Sequence, residues 1–336
     1  MSKPIFHSLI STNSYFEHRK PLIQALQKLL DAKVISYIAA AHHPMPMIMS
    51  QDILPFEDLL RSVSGADNGY LIINSRGGDG NVAEKIIMMC RQRFKKSFEV
   101  IVPDFAKSAA TMIALGSDKI LMGYLAELGP IDPQLRGPRG LIPARSFIRG
   151  LEMIRDNIKE KDDPVQMYYP MLSQIRPEII ARSQSAIEGA QKFAEKWLKQ
   201  YMLKNNPQQA ENVAEWLSKG KKYKSHGKVI DYNEALTVLK LNVEKIPEDS
   251  ELWDKIWELY CRSILSLQQQ GPNAAKLFES EAFSVTMNVE VKSGRPPQQP
   301  RPALPPRQPV LKPVKPTKKP STAHSQPKKQ IMEKKK

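Results

Sequence analysis

Two turns in this 336-residue chain carry residue types suited to acyl chemistry. The first is Ser75-Arg76-Gly77-Gly78-Asp79, directly after the apolar run at 69–74. Paired glycines after a strand let the backbone approach a ligand with no Cβ in the way. Their N–H groups can then point into a site and stabilise a developing oxyanion. The same pair would also serve as an ordinary strand-to-helix turn. No Gly-Lys-Ser/Thr follows, so the turn is not a phosphate loop. The second is Pro103-Asp104-Phe105-Ala106-Lys107-Ser108-Ala109-Ala110-Thr111. Here a serine stands at the start of a short helix, beside free backbone N–H groups and the positive end of the helix dipole. A nucleophile would suit that place, and so would a simple helix cap.

The elements that must position these turns follow from hydrophobic periodicity. Residues 15–32 read as a helix, 33–41 as a strand and 53–63 as a helix. Residues 69–74 and 98–103 are short, continuous apolar runs, the pattern of strands buried on both faces. Helices are expected at 81–95 and 106–116, a third strand at 119–122, and a Gly/Pro-rich loop at 125–135. Strand–helix–strand–helix–strand within about 55 residues argues for parallel α/β architecture. Beyond 145 the pattern is mostly helical, with candidates at 177–205, 212–219, 232–239 and 252–270. The segment 34–49 is apolar but holds His42, His43 and two prolines. It reads as a strand and loop, with no metal site at the histidine pair.

Taken together, a Gly-Gly turn and a Ser-small-small turn about thirty residues apart resemble the Clp protease/crotonase superfamily. The agreement extends through Val-Pro-Asp-Phe-Ala-Lys-Ser-Ala-Ala-Thr-Met-Ile-Ala-Leu-Gly-Ser-Asp-Lys-Ile-Leu-Met and then Leu-Gly-Pro-Ile-Asp-Pro-Gln-Leu at 128–135. It continues in Ser225-His226-Gly227, Glu234-Ala235 and Leu241-Asn242-Val243. These runs resemble the serine dehydrogenase proteinase family, Clp-fold peptidases akin to signal peptide peptidase A, over residues 34–246. The fold this implies is an α/β Clp/crotonase-type domain of repeated ββα-like units with appended helices. By the resemblance Ser108 is the nucleophile. Gly78 and Ala109 would give the oxyanion-hole N–H groups, with Gly77 shaping the turn. Two departures stand beside the serine: Ala109 and Ala110 replace the family's glycines, and Lys107 replaces an apolar neighbour.

A serine nucleophile needs a partner to take its proton. Clp peptidases place a histidine after the third strand and an aspartate near the late strand. This chain offers Asp132 at the first position and His226 at the second, with the types exchanged. Triads are defined by geometry and not by chain order. The expectation is therefore His226 as general base, oriented by Asp132. The rival is a lysine base, with Lys107, Lys119, Lys159 and Lys161 as candidates; Lys107, adjacent to the serine, should point away from it. An alternative in another class is a catalytically inactive Clp-fold scaffold, and a third is an acyl-CoA-handling crotonase relative.

Lys and Arg number 50 against 35 Asp and Glu, a formal charge of +15. That balance suggests nucleic acid until it is located. Residues 292–336 hold thirteen of the basic residues, one acid and 11 of the 27 prolines. The remainder, residues 1–291, is nearly neutral. Three parts are expected: a peptidase domain at 1–246 with a helical insertion near 150–220, a helical extension at 247–291, and a disordered Pro/Lys-rich tail at 292–336. The tail could meet nucleic acid, an anionic membrane or an aromatic groove that takes PxxP spacings. Two distant cysteines exclude a disulfide framework, and no Cys/His spacing suits zinc. No run reaches the ~20 apolar residues of a membrane span. No metal or cofactor is expected. The reading is a cytoplasmic homo-oligomer acting on peptides or unfolded chains.

Overall fold

The computed structural model describes residues 5–290, except 45, 64, 66, 138, 139 and 221. In chain order the helices are α1 (Ile5–Leu9), α2 (Phe16–Leu30), α3 (Ile53–Arg61), α4 (Gly80–Arg93), α5 (Ala109–Leu115), α6 (Ala144–Glu160), α7 (Tyr169–Leu172), α8 (Pro177–Gln200), α9 (Pro207–Ser218) and α10 (Glu251–Gln269). The strands are β1 (Lys33–Ala39), β2 (Asn68–Asn74), β3 (Ser97–Val102), β4 (Phe105–Ala106), β5 (Ile120–Met122), β6 (Glu127–Leu128), β7 (Gln134–Gly137), β8 (Gly140–Pro143), β9 (Val243–Lys245), β10 (Ala274–Glu279) and β11 (Ser284–Asn288).

The main sheet runs in the order β11-β10-β1-β2-β3-β5-β9. β1, β2, β3, β5 and β9 are parallel. β10 and β11 close one side with antiparallel pairings. Of the parallel strands, β1, β2, β3 and β5 are buried on both faces over most of their length, as their continuous apolar runs require. Val34, Ile38, Ile72, Ile101 and Leu121 pack with Leu22, Ile23 and Leu26 of α2 and Ile256 and Leu259 of α10. Their alternates Ile35, Tyr37, Leu71, Ile73, Val100, Val102, Ile120 and Met122 pack with α3, α4, α5, α8 and α9. Each such aliphatic side chain contributes roughly 1.5–3 kcal/mol by leaving water. The result is a three-layer α/β fold.

A second, smaller layer carries the functional turns. β4 pairs in parallel with β6, Ser75 bridges Ala106, Leu128 bridges Ile230, and Ile48 bridges Gly78. This layer gathers the chain beyond β2, β3 and β5 and joins it to the segment around 230.

Three local expectations differ from the structure. The loop expected at 125–135 contains β6 and the start of β7. The helix expected from 106 begins at Ala109, because Phe105–Ala106 is spent pairing as β4. The segment 247–291, expected to be helical, contains α10 and then two strands of the main sheet. Lys276 and Glu279 interrupt the apolar run of β10, yet both are fully buried. Lys276 Nζ lies 2.6 Å from Asp52 Oδ1, and Arg19 lies 2.8 Å from Glu279. Asp52 also accepts from Tyr37 OH at 3.0 Å. A buried charge is tolerable only when paired, and these partners come from far along the chain. Burial still pushes the Lys276 ammonium down, against the pull of Asp52. Trp253 and Tyr260 belong to the α10 layer of the core. The tail at 292–336, with its expected disorder and partners, lies outside the described residues. Among the described residues no helix is long and apolar enough to cross a membrane.

Candidate active site

Ser108 occupies the N-cap position of α5 with φ 51 and ψ −118. Asp31, at the end of α2, has φ 46 and ψ 44, the ordinary left-handed conformation. The ψ of Ser108 lies outside that basin, in a sparsely populated region that costs on the order of 1–3 kcal/mol. The Ser108 side chain makes no capping hydrogen bond. Of the two readings the sequence leaves open, the cap is therefore not realised. The serine lines a cleft.

The surroundings hold this strained turn in place. Ser75 N–H donates to Phe105 O at 3.1 Å, and Lys107 N–H donates to Ser75 O at 2.9 Å. The two turns are thereby stapled together. Gly77 lies against the serine: a Cβ there would sit 2.5 Å from Lys107 O and 2.7 Å from Ser108 Cβ. Its φ of 96 also demands glycine. A Cβ on Gly78 would meet the Ile48 backbone at 2.2 Å. Ile48 clamps this segment, donating to Gly77 O and accepting from Asp79 N–H, both at 2.9 Å.

The N–H groups then sort by use. Gly77 N–H donates to Ser75 Oγ at 3.1 Å, and Ala110 N–H donates to Lys107 O at 2.9 Å. Among the described residues Gly78 N–H and Ala109 N–H have no acceptor. Ala109 and Ala110 are buried in the core of the α5 side and do not line the cleft. Their methyl groups leave the cleft open.

Ser108, Gly78 and His226 line one cleft of about 670 Å³. Its apolar walls include Met47, Met112, Ile131, Leu141 and Phe193, while Arg76, Asp79 and Glu84 add charge. His226 Nδ1 lies 2.8 Å from Asp132 Oδ1. The Asp132 side chain is only 6% exposed, against 22% for His226. Asp132 is held by its neighbours: Ile131 N–H donates to Leu217 O, and Ala144 N–H donates to Pro133 O. His226 sits in a turn closed by Lys228 N–H on Ser225 O, next to the Leu128–Ile230 bridge. The late segment and the loop after β6 thus meet at the cleft.

Among the described residues no lysine lines the cleft. Lys107 turns away from it to Glu127, 3.0 Å distant. Lys119 pairs with Glu244 at 2.9 Å and reaches Glu99 at 3.7 Å. Lys159 and Lys161 are exposed at the end of α6. His43 is buried with Nε2 3.1 Å from Val289 O. Among the described residues no group of three potential metal ligands exists.

Some contributors had no local signal. Gly189, Ala190 and Phe193 of α8 wall the cleft from some 80 residues away, and Met47 closes another side. The Thr111 hydroxyl donates to Ala106 O at 2.6 Å and accepts from Gly129 N–H at 3.1 Å. Only the fold brings these together.

Comparison with known proteins gives related results at two depths. An uncharacterized protein of Methanocaldococcus jannaschii, MJ0137, is 38% identical over 99 residues, covering 29% of this chain and 33% of its own length. A second from the same organism, MJ1495, is 27% identical over 209 residues, 60% of each chain. The chain thus spans a third and three fifths of these curated relatives. Among solved structures, a variant of the 1510-N membrane-bound stomatin-specific protease aligns at 19% identity and a TM-score of 0.39, covering 67% of this chain and 85% of that one. A ClpP1 variant from Listeria monocytogenes aligns at 17% identity and 0.34, covering 69% and 99%. The family model for ClpP-like SDH-type serine proteinases matches residues 5–272, from α1 through α10. The chain belongs to the ClpP-like SDH-type serine proteinase family.

Proposed function

We propose that this protein is a serine peptidase that cleaves peptides or unfolded chains through an acyl-enzyme at Ser108. The observation that carries this reading is the uncapped hydroxyl of a strained serine, in one cleft with a histidine whose Nδ1 is bonded to a buried carboxylate. With Nδ1–H donating to Asp132, the imidazole keeps a lone pair on Nε2. That nitrogen takes the Ser108 proton as Oγ attacks the scissile carbonyl. Charge then develops on the carbonyl oxygen, and the Gly78 and Ala109 N–H groups, which have no other acceptor among the described residues, would donate to it. His226 returns the proton to the leaving amine. Water, deprotonated in the same way, hydrolyses the ester.

Asp132 is an orienting residue in this scheme. It holds the ring tautomer and stabilises the imidazolium that forms. No metal or cofactor has a role in these steps. We also expect a homo-oligomer, with the exposed part of α8 as a contact, which sedimentation would read. The two cysteines are buried and unbonded, in keeping with a reducing, cytoplasmic setting.

The test is reaction with a fluorophosphonate, an electrophile that phosphonylates activated serines. Label on the wild type that vanishes in Ser108→Ala supports the enzyme. Absence of label across a broad pH range favours the inactive scaffold.

A further inference from the structure

Lys107 is the residue beside the nucleophile that the peptidase scheme leaves without a task. Its ammonium carries three donors and no acceptor. Two carbonyls accept from it, Leu128 O at 2.9 Å and Lys228 O at 3.3 Å, and Glu127 Oε1 pairs with it at 3.0 Å. The side chain is 15% exposed. Its stem lies across Gly129, where an added Cβ would sit 2.7 Å from Lys107 Cδ. Glycine at 129 is thus what lets the lysine through.

The places of those acceptors matter more than their number. Leu128 O lies four residues before Asp132, on the strand that leads to it. Lys228 O lies two residues after His226. Lys107 itself precedes Ser108. One side chain therefore ties together the three segments that carry the three proposed catalytic groups. The Leu128–Ile230 bridge joins two of these segments to each other, with N–H···O distances of 2.9 and 3.1 Å. From the nucleophile's turn and helix, the Lys107 ammonium and the Thr111 hydroxyl supply side-chain ties to the last residue of β6 and the residue after it. Of these two, Lys107 alone also reaches the histidine's segment.

We propose that Lys107 is a positioning residue that sets the separation of Ser108 from the His226–Asp132 pair, and is not itself the base. This rests on the peptidase reading given above. A base needs a lone pair aimed at the serine hydroxyl. The Lys107 nitrogen is aimed at two carbonyls and a carboxylate on the side away from the cleft. A reaction that needs near-contact geometry is steeply sensitive to displacements of about 1 Å, which can cost on the order of a hundredfold. Loosening this tie should slow the covalent step and leave binding in the cleft nearly intact.

The experiment is time-resolved inactivation of the full chain by diisopropyl fluorophosphate, resolved into kinact and KI, with thermal unfolding alongside. Lys107→Met keeps the stem and removes every donor. Lys107→Arg restores donors. Gly129→Ala displaces the stem without changing any charge. The expected result is a fall of at least tenfold in kinact for Lys107→Met, with KI within about twofold. Lys107→Arg should recover most of kinact, and Gly129→Ala should lower it in the same direction. Should Lys107→Met fail to fold, Gly129→Ala and Lys107→Arg carry the test. The inference is overturned if kinact for Lys107→Met, or for Gly129→Ala where the former does not fold, stays within twofold of wild type. It is equally overturned if Lys107→Arg folds and is as inert as Ser108→Ala, since that marks Lys107 as the base. If the wild type itself never labels at Ser108, the peptidase reading fails and not merely this part of it.

Discussion

Gly77→Ala isolates the contact between the two turns. The new Cβ would meet Lys107 O at 2.5 Å and Ser108 Cβ at 2.7 Å, and φ there is 96. Two costs combine, and a matched control separates them. Gly271 has φ 101, and a methyl group added there would have nothing within 4 Å. Gly271→Ala therefore incurs the conformational cost alone, about 1 kcal/mol. Gly77→Ala incurs the same and also the clash with main chain, a further ~1–3 kcal/mol. At roughly 2–4 °C per kcal/mol for domains approaching this size, the control should melt about 2–4 °C lower and Gly77→Ala about 4–16 °C lower. Activity should part more sharply. To relieve the clash, the 77–78 segment must withdraw from Ser108, and the Gly78 N–H moves with it. Loss of one oxyanion donor costs on the order of 10²–10³ in rate, so a partial displacement should slow fluorophosphonate labelling at least tenfold. Gly271→Ala should label at the wild-type rate. Equal melting points and equal labelling rates for the two variants would refute the steric argument at its root.

Other outcomes follow from the same geometry. Asp132→Asn preserves the shape of the pair but can hold the imidazole in the wrong tautomer, so labelling and turnover should fall by ~10²–10⁴. His226→Ala should do at least as much, and peptide turnover unchanged by His226→Ala would remove the histidine from the scheme. Asp104 accepts from Tyr260 OH at 2.7 Å. Burial raises its carboxyl above the usual range, against that hydrogen bond. A carboxyl raised on folding favours the native state most when protonated, and that benefit is lost as pH rises through its folded value. Asp104→Asn should therefore raise the melting point at neutral pH, with a gain that shrinks as pH falls toward the ordinary carboxylate range. A gain that grew on acidification would contradict the assignment.

Much of this fold can be read from one dimension. Apolar runs buried on both faces leave a dense local signal, so 69–74 and 98–103 emerge as β2 and β3 to within a residue or so. The Leu128–Leu135 run and the serine turn are enough to place the chain in the family that the match over residues 5–272 shows. What local pattern cannot carry is anything settled by distant partners. β10 contains a lysine and a glutamate that only Asp52 and Arg19 make tolerable. β4 and β6 are two residues each and exist because Ser75 and Ile230 flank them. Lys107 is legible in the sequence as an odd neighbour of Ser108 that should point away from it. That it points at the segments bearing Asp132 and His226 depends on where the chain returns about 20 and 120 residues later.

The central claim is that Ser108 is an activated nucleophile. Its most direct test is peptide mapping by mass spectrometry after exposure of the folded chain to a fluorophosphonate. The account predicts a single adduct on the peptide bearing Ser108, absent from Ser108→Ala and strongly slowed in His226→Ala. An unmodified Ser108 peptide in folded protein, under conditions that label a reference serine hydrolase completely, would contradict it.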